Sequence, residues 1–123
     1  MSPSCLVGKR VLLVEDEMLV AMLVEELLAE LGCIVLGPYG RVAPALAAIE
    51  TELVDVAVLD VNIAGEKVFP VAHALERRGV PFLFVTGYGE SALPRDRPNW
   101  EACVKPFHMH ELAERLASKL EMA

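Results

Sequence analysis

Five continuous apolar runs alternate along the chain with longer stretches in which apolar residues recur every three or four positions. Runs of the first kind read as strands covered on both faces, and stretches of the second kind as helices with one buried stripe. The first run, residues 9–14, opens on Lys9 and Arg10 and stops at Glu15, Asp16 and Glu17. Residues 18–31 then set Val20, Leu23, Val24, Leu27, Leu28 and Leu31 on one helical stripe, closed by Gly32. A short strand over 33–36 ends at Gly37 and Pro38. A second helix over 42–53 presents Val42, Leu46, Ile49 and Leu53, with Pro44 tolerated in its first turn. The third strand covers 54–60. A helix from Glu66 to Arg78 follows, with Pro70 early, Arg77 and Arg78 in the last turn and Gly79 after them. The fourth strand occupies 80–85. Pro94 and Pro98 then leave residues 87–99 room for only a short or irregular fourth helix. A fifth strand over 102–105 leads to a last helix over 108–120, with Leu112, Leu116 and Leu120 stacked four apart.

The intervening helices are long enough for right-handed parallel crossovers. The pattern therefore predicts an α/β fold, a (βα)5 doubly wound parallel sheet filling residues 9–123 behind a tail of residues 1–8. Ligands of such sheets bind outside the carboxyl ends of the strands, where strand order reverses. With strand order 2-1-3-4-5, that point lies between strands 1 and 3.

Composition narrows the partners. Hydrophobic residues make up 54% of the 123, and the mean hydropathy of +0.43 excludes a disordered chain. The apolar run 18–24 is too short to span a bilayer, and the N-terminus lacks a signal-peptide pattern. The net charge of 11 − 18 = −7 disfavours a phosphate-backbone partner, so neither nucleic acid nor membrane is expected. Cys5, Cys33 and Cys103 are odd in number and lack metal-ligand spacing, as reduced packing residues of a cytoplasmic protein would.

The strand ends carry the chemistry. Strand 1 delivers Glu15 and Asp16, strand 3 Asp60, strand 4 Thr86, and strand 5 Lys105 followed by Pro106. Carboxylates crowded into one crevice repel each other, and a divalent cation relieves the repulsion. Hard oxygen donors specify Mg²⁺ or a close substitute such as Mn²⁺. Such a site with a lysine beside it suits phosphoryl transfer, where positioning and charge neutralisation supply most of the catalysis. Taken singly, Asp60 is a turn former, Asp16 a helix cap, Thr86 a strand residue and Lys105 a solvated surface group. Their coincidence at one sheet edge favours the functional alternative.

The motifs VEDE (14–17), LDVN (59–62), VTG (85–87) and VKPF (104–107) make the chain resemble the receiver domains of two-component response regulators. The resemblance covers nearly the whole chain and implies a flavodoxin-like fold. It implies that Asp60 is a phosphoacceptor taking a phosphoryl group from a phosphohistidine of a sensor histidine kinase or phosphotransfer protein. A carboxylate is ionised at neutral pH and needs no general base. Asp16, Asp60 and the backbone carbonyl of Asn62 would bind Mg²⁺ directly, and Glu15 through water. Lys105 and Thr86 would contact phosphoryl oxygens, and the Lys105–Pro106 bond would be cis. PFLFVTGYG (81–89) and DVNIAGEKVFP (60–70) are similar to the FAT GUY subset, mostly single-domain regulators of alphaproteobacteria. Receivers carry an aromatic switch residue where this chain has Ala102. Gly87 and Gly89 give the loop conformations closed to other residues, which makes Gly87, Tyr88 and Pro106 candidate switch positions. Tyr88 packed over a degenerate fourth helix is the bland alternative.

Met18, Leu19 and Met22 flank the core stripe of helix 1 and mark either a broad core face or a docking surface for a kinase helical pair. His73, His108 and His110 read as exposed or capping, and Trp100 as loop packing. The chain stops after the fifth helix, so a stand-alone receiver is expected. It would signal by contact with a downstream protein or act as a phosphate shuttle or sink, rather than as an enzyme with turnover. The alternatives are a phosphorylation-independent binding module and an Asp-nucleophile, Mg²⁺-dependent phosphohydrolase. The latter normally places its nucleophile after the first strand in a D-x-D pattern. A flavin-binding protein lacks support, because no hydroxyl-rich phosphate loop follows strand 1.

Overall fold

Strand β1, Arg10–Val14, is the hub of the sheet. It pairs in parallel with β2 (Ile34–Tyr39) on one side and β3 (Val56–Asp60) on the other. A computed structural model describes residues 4–87, 89–105 and 108–122. Two further sheet strands, β6 (Phe82–Thr86) and β7 (Ala102–Val104), complete the order β2-β1-β3-β6-β7, all parallel. This is the expected 2-1-3-4-5 order, renumbered because a two-stranded antiparallel hairpin, β4 (Asn62–Ile63) and β5 (Glu66–Lys67), intervenes. Helices α1 (Met18–Glu30), α2 (Val42–Thr51), α3 (Phe69–Arg77) and α4 (Met109–Met122) cover both faces. Where a fourth crossover helix would lie, the described residues hold a 3-10 turn, Gly89–Ala92.

The period-2 alternation of strand side chains sorts the core into two layers. Leu12, Val14, Ala57, Leu59, Phe82 and Phe84 face one layer, completed by α2 and α3 residues such as Ile49, Val71 and Leu75. Val11, Leu13, Val56, Val58, Leu83 and Val85 face the other, with Val24, Leu28, Leu112 and Leu116 from α1 and α4. Strands β1, β3 and β6 are buried along nearly their whole length, which explains their unbroken apolar runs, whereas the edge strand β2 is partly exposed. Complete burial of one Val or Leu side chain is worth about 1.5–3 kcal/mol, so these layers dominate stability.

Several boundaries differ from the sequence expectation. Residue Leu23, placed on the buried stripe of α1, is 58% exposed, while Ala21 takes a core position. Helix α2 stops at Thr51 and Leu53 is 80% exposed. Arg10 draws this segment out, its guanidinium binding the Leu53 carbonyl and the Glu52 carboxylate and its N–H donating to Asp55. Strand β2 runs on through Gly37 and Pro38 to Tyr39. Helix α3 begins at Phe69 rather than Glu66, because residues 66–67 pair with 62–63. Leu6, inside the expected tail of residues 1–8, is fully buried in the α1/α4 layer.

Trp100 was expected in loop packing but is a core residue. Its ring lies 5.3–6.0 Å from those of Phe69, Phe82 and Phe84, and its Nε1 donates to Glu76 at 3.1 Å. His73 is half-buried with its ring 5.2 Å from Trp100, not simply exposed. His108 is exposed and its carbonyl accepts the Leu112 N–H, while exposed His110 pairs with Glu114 at 2.7 Å. No described helix is long and apolar enough to cross a membrane.

Candidate functional site

The carboxyl ends of β1 and β3 lie side by side because Val14 is registered against Leu59. Glu15 and Asp16 leave β1 as Asp60 ends β3. One carboxylate oxygen from each of Glu15, Asp16 and Asp60 lies within 4.8 Å of the others. The same topology aligns Asp60 with Val85, so that Thr86 comes one residue beyond, buried at the end of β6. The Lys105 N–H donates to the Thr86 carbonyl at 2.8 Å, which carries the lysine to the same edge. Its Nζ stands 3.1 Å from Glu15 Oε1 and 3.4 Å from Asp60 Oδ2.

Two of the acids are buried, Glu15 at 3% exposure and Asp60 at 8%, whereas Asp16 is exposed. Burial pushes the Glu15 carboxyl up to about 7, and the neighbouring Asp60 charge adds to this; the Glu17 N–H and Lys105 oppose it. Burial alone would depress the Lys105 ammonium, but Glu15 and Asp60 outweigh it and hold its pKa above the usual lysine value. Glu15 Oε2 accepts the Glu17 N–H at 3.1 Å. Glu15 Oε1 is buried, with the Lys105 ammonium as its ion-pair partner. Three clustered carboxylates against one ammonium leave an excess of negative charge. Hard oxygen donors of this kind fit a small divalent cation.

Asn62 sits on β4, two residues beyond Asp60, and its side-chain Oδ1 accepts Lys67 Nζ at 2.7 Å. Gly87 is exposed, and nothing lies within 4 Å of where its Cβ would be. Tyr88 and Pro106, with the proposed cis bond before it, lie outside the described residues. Ala102 is buried in the layer that holds Trp100. Met18, Leu19 and Met22 are 74%, 72% and 56% exposed, which removes the broad-core alternative for them.

Sequence reasoning overlooked one contact in the site. Ala64 donates its backbone N–H to Asp16 Oδ2 at 2.8 Å, across 48 residues. Both Ala64 (φ 51) and Gly65 (φ 83) have the positive φ that a type I′ hairpin turn requires at its two central residues. Gly65 after a strand end was the available signal.

A family model for the response regulator receiver domain matches residues 11–117. No curated protein matches the sequence. Among solved structures, SdrG from Sphingomonas melonis Fr1 is 39% identical, with 94% of this chain and 98% of that one covered at a TM-score of 0.80. The receiver domain of the response regulator PhyR from Erythrobacter litoralis is 28% identical, covering 95% and 93% at 0.84. The receiver domain of a Pseudomonas aeruginosa PAO1 sensor histidine kinase was solved with magnesium coordinated in its active site cleft. At 24% identity, with 94% of this chain and 99% of that one covered at a TM-score of 0.77, it shares the fold.

Proposed function

We propose that this chain, which belongs to the response regulator receiver domain family, accepts a phosphoryl group on Asp60 from a phosphohistidine of a sensor histidine kinase or phosphotransfer protein. One observation carries the proposal: oxygens of Glu15, Asp16 and Asp60 gather within 4.8 Å, with the Lys105 ammonium 3.4 Å from Asp60. An Asp60 oxygen attacks phosphorus, the P–N bond breaks, and its electron pair returns to the imidazole. The product is an acyl phosphate. Lys105 offsets charge on a phosphoryl oxygen, and the Thr86 hydroxyl donates to another.

Asp16, Asp60 and the Asn62 carbonyl would hold Mg²⁺ or Mn²⁺, with Glu15 acting through water. When bound, the cation neutralises charge on the transferring phosphoryl group. Free cysteines and a kinase partner supplied with ATP favour a cytoplasmic setting. As a stand-alone receiver the protein passes its signal by contact with a downstream protein, or serves as a shuttle or sink for phosphate.

Incubation with acetyl phosphate and Mg²⁺ should add the mass of one phosphoryl group, and Asp60→Ala or removal of Mg²⁺ should abolish the gain. Equal labelling of the Asp60→Ala protein would overturn the assignment.

A further inference from the structure

The hairpin that follows Asp60 is tied at three points. Its base closes through the Val68 N–H, which donates to the Val61 carbonyl at 2.9 Å. Across the ladder, Asn62 and Lys67 are registered partners, and the lysine ammonium reaches the Asn62 side-chain oxygen at 2.7 Å. At the tip, the Ala64 N–H donates to Asp16 Oδ2 at 2.8 Å. Val61, Ile63 and Val68 are fully buried beneath it, so the base is anchored while the tip leans over the acidic crevice.

Ala64 adopts a left-handed backbone at φ 51, a conformation that L-residues with a Cβ avoid. Backbone strain of this sort persists where surrounding contacts hold it and clusters at functional sites. Here the contact that it permits is the one to Asp16. A carboxylate with one oxygen committed to an N–H keeps a single orientation and leaves its second oxygen for another partner. Carboxylates that bind metals are commonly oriented by such outer hydrogen bonds, and losing them weakens metal binding about 10–100-fold.

We propose that the 62–67 hairpin is a positioning element for the cation site, in which the Ala64 N–H orients Asp16 and Lys67, through Asn62, clamps the hairpin closed. Neither Lys67 nor Ala64 touches the reacting atoms; both act through another residue. The inference rests on the proposed metal-binding role of Asp16 and Asn62. It makes hairpin closure and Mg²⁺ occupancy mutually dependent, since each favours the same arrangement of Asp16. Lys67 is exposed and one step removed from the carboxylate, so its loss should cost less than a direct partner's, about threefold to tenfold in affinity.

The test needs no phosphoryl donor. Mg²⁺ is titrated into metal-free protein with backbone amide NMR shifts as the readout, and hydrogen exchange of the Ala64 amide is followed beforehand. In the wild type that amide should be protected, and Asp16→Ala, which removes the acceptor, or Lys67→Met should speed its exchange. Lys67→Met should raise the Mg²⁺ dissociation constant about threefold to tenfold, and Lys67→Arg, which still reaches Asn62, should restore it. An unprotected Ala64 amide in the wild type, or wild-type Mg²⁺ affinity in Lys67→Met, would overturn the positioning role. Asp60→Ala separates the two ideas. Its loss of phosphorylation tests the acceptor, whereas Ala64 protection in the same variant should persist.

Discussion

Residues 64 and 65 illustrate how a backbone requirement enters a functional site. Both have positive φ, but only Gly65 lacks a Cβ, and no atom lies within 4 Å of where one would be placed. Gly65→Ala therefore meets no steric neighbour and should lose stability through the backbone alone, by about 1–2 kcal/mol. Ala64→Gly relieves the same cost at its own position but adds freedom to the unfolded chain worth about 0.4–1 kcal/mol. Its net gain should stay below about 1.6 kcal/mol. Urea unfolding monitored by circular dichroism resolves the two signs, and an unchanged midpoint for Gly65→Ala would refute the turn assignment. Single residues of the crevice were readable because Glu15, Asp16, Asp60, Thr86 and Lys105 each follow an apolar run. Ala64 was not readable, because its contribution is a main-chain N–H that any residue other than proline carries.

At the scale of elements, β7 and α4 are joined by charge as well as by apolar packing. Lys119 and Arg115 of α4 both reach the Glu101 carboxylate, and Arg115 also donates to the Ala102 carbonyl at 2.9 Å. The Lys119 hydrogen bond chiefly holds the Glu101 carboxyl below its usual range; partial burial opposes it, and the charges of Lys119 and Arg115 assist. A carboxylate with a depressed folded pKa stabilises the fold above its unfolded pKa, and that stabilisation is lost as pH falls through the folded value. Acid titration below about pH 4.5 should thus weaken the wild type more than Glu101→Gln. The carboxylate is 46% exposed, so solvent screening limits the difference to under about 1 kcal/mol. Denaturant midpoints at pH 7 and pH 3 for both proteins measure it, and equal acid losses would sink the prediction. The five sheet strands were legible from their unbroken apolar runs. The hairpin strands were not, since two residues cannot display a period. Leu23 and Leu53 were misplaced for a related reason: periodicity marks a stripe but does not say where a helix ends or how wide a core face is.

In the whole molecule, the acidic crevice and the exposed apolar turns of α1 are neighbours, because α1 starts two residues after Asp16. Met18, Leu19, Met22 and Leu23 are all more than half exposed. Four large apolar side chains together on one short surface suit contact with a partner. A helical pair of a kinase laid across them would bring its phosphohistidine toward Asp60. A small donor such as acetyl phosphate would need the crevice alone and not this surface. Met22→Glu should therefore slow transfer from an autophosphorylated kinase by about tenfold or more, equivalent to about 1.4 kcal/mol at a central contact. Acetyl phosphate labelling should keep its wild-type rate, and stability should change by no more than about 0.5 kcal/mol at so exposed a position. Comparing the two donors on the same variant isolates docking from chemistry. Equal slowing with both would locate the defect in the crevice, and equal kinase rates in variant and wild type would remove this face of α1 from the encounter.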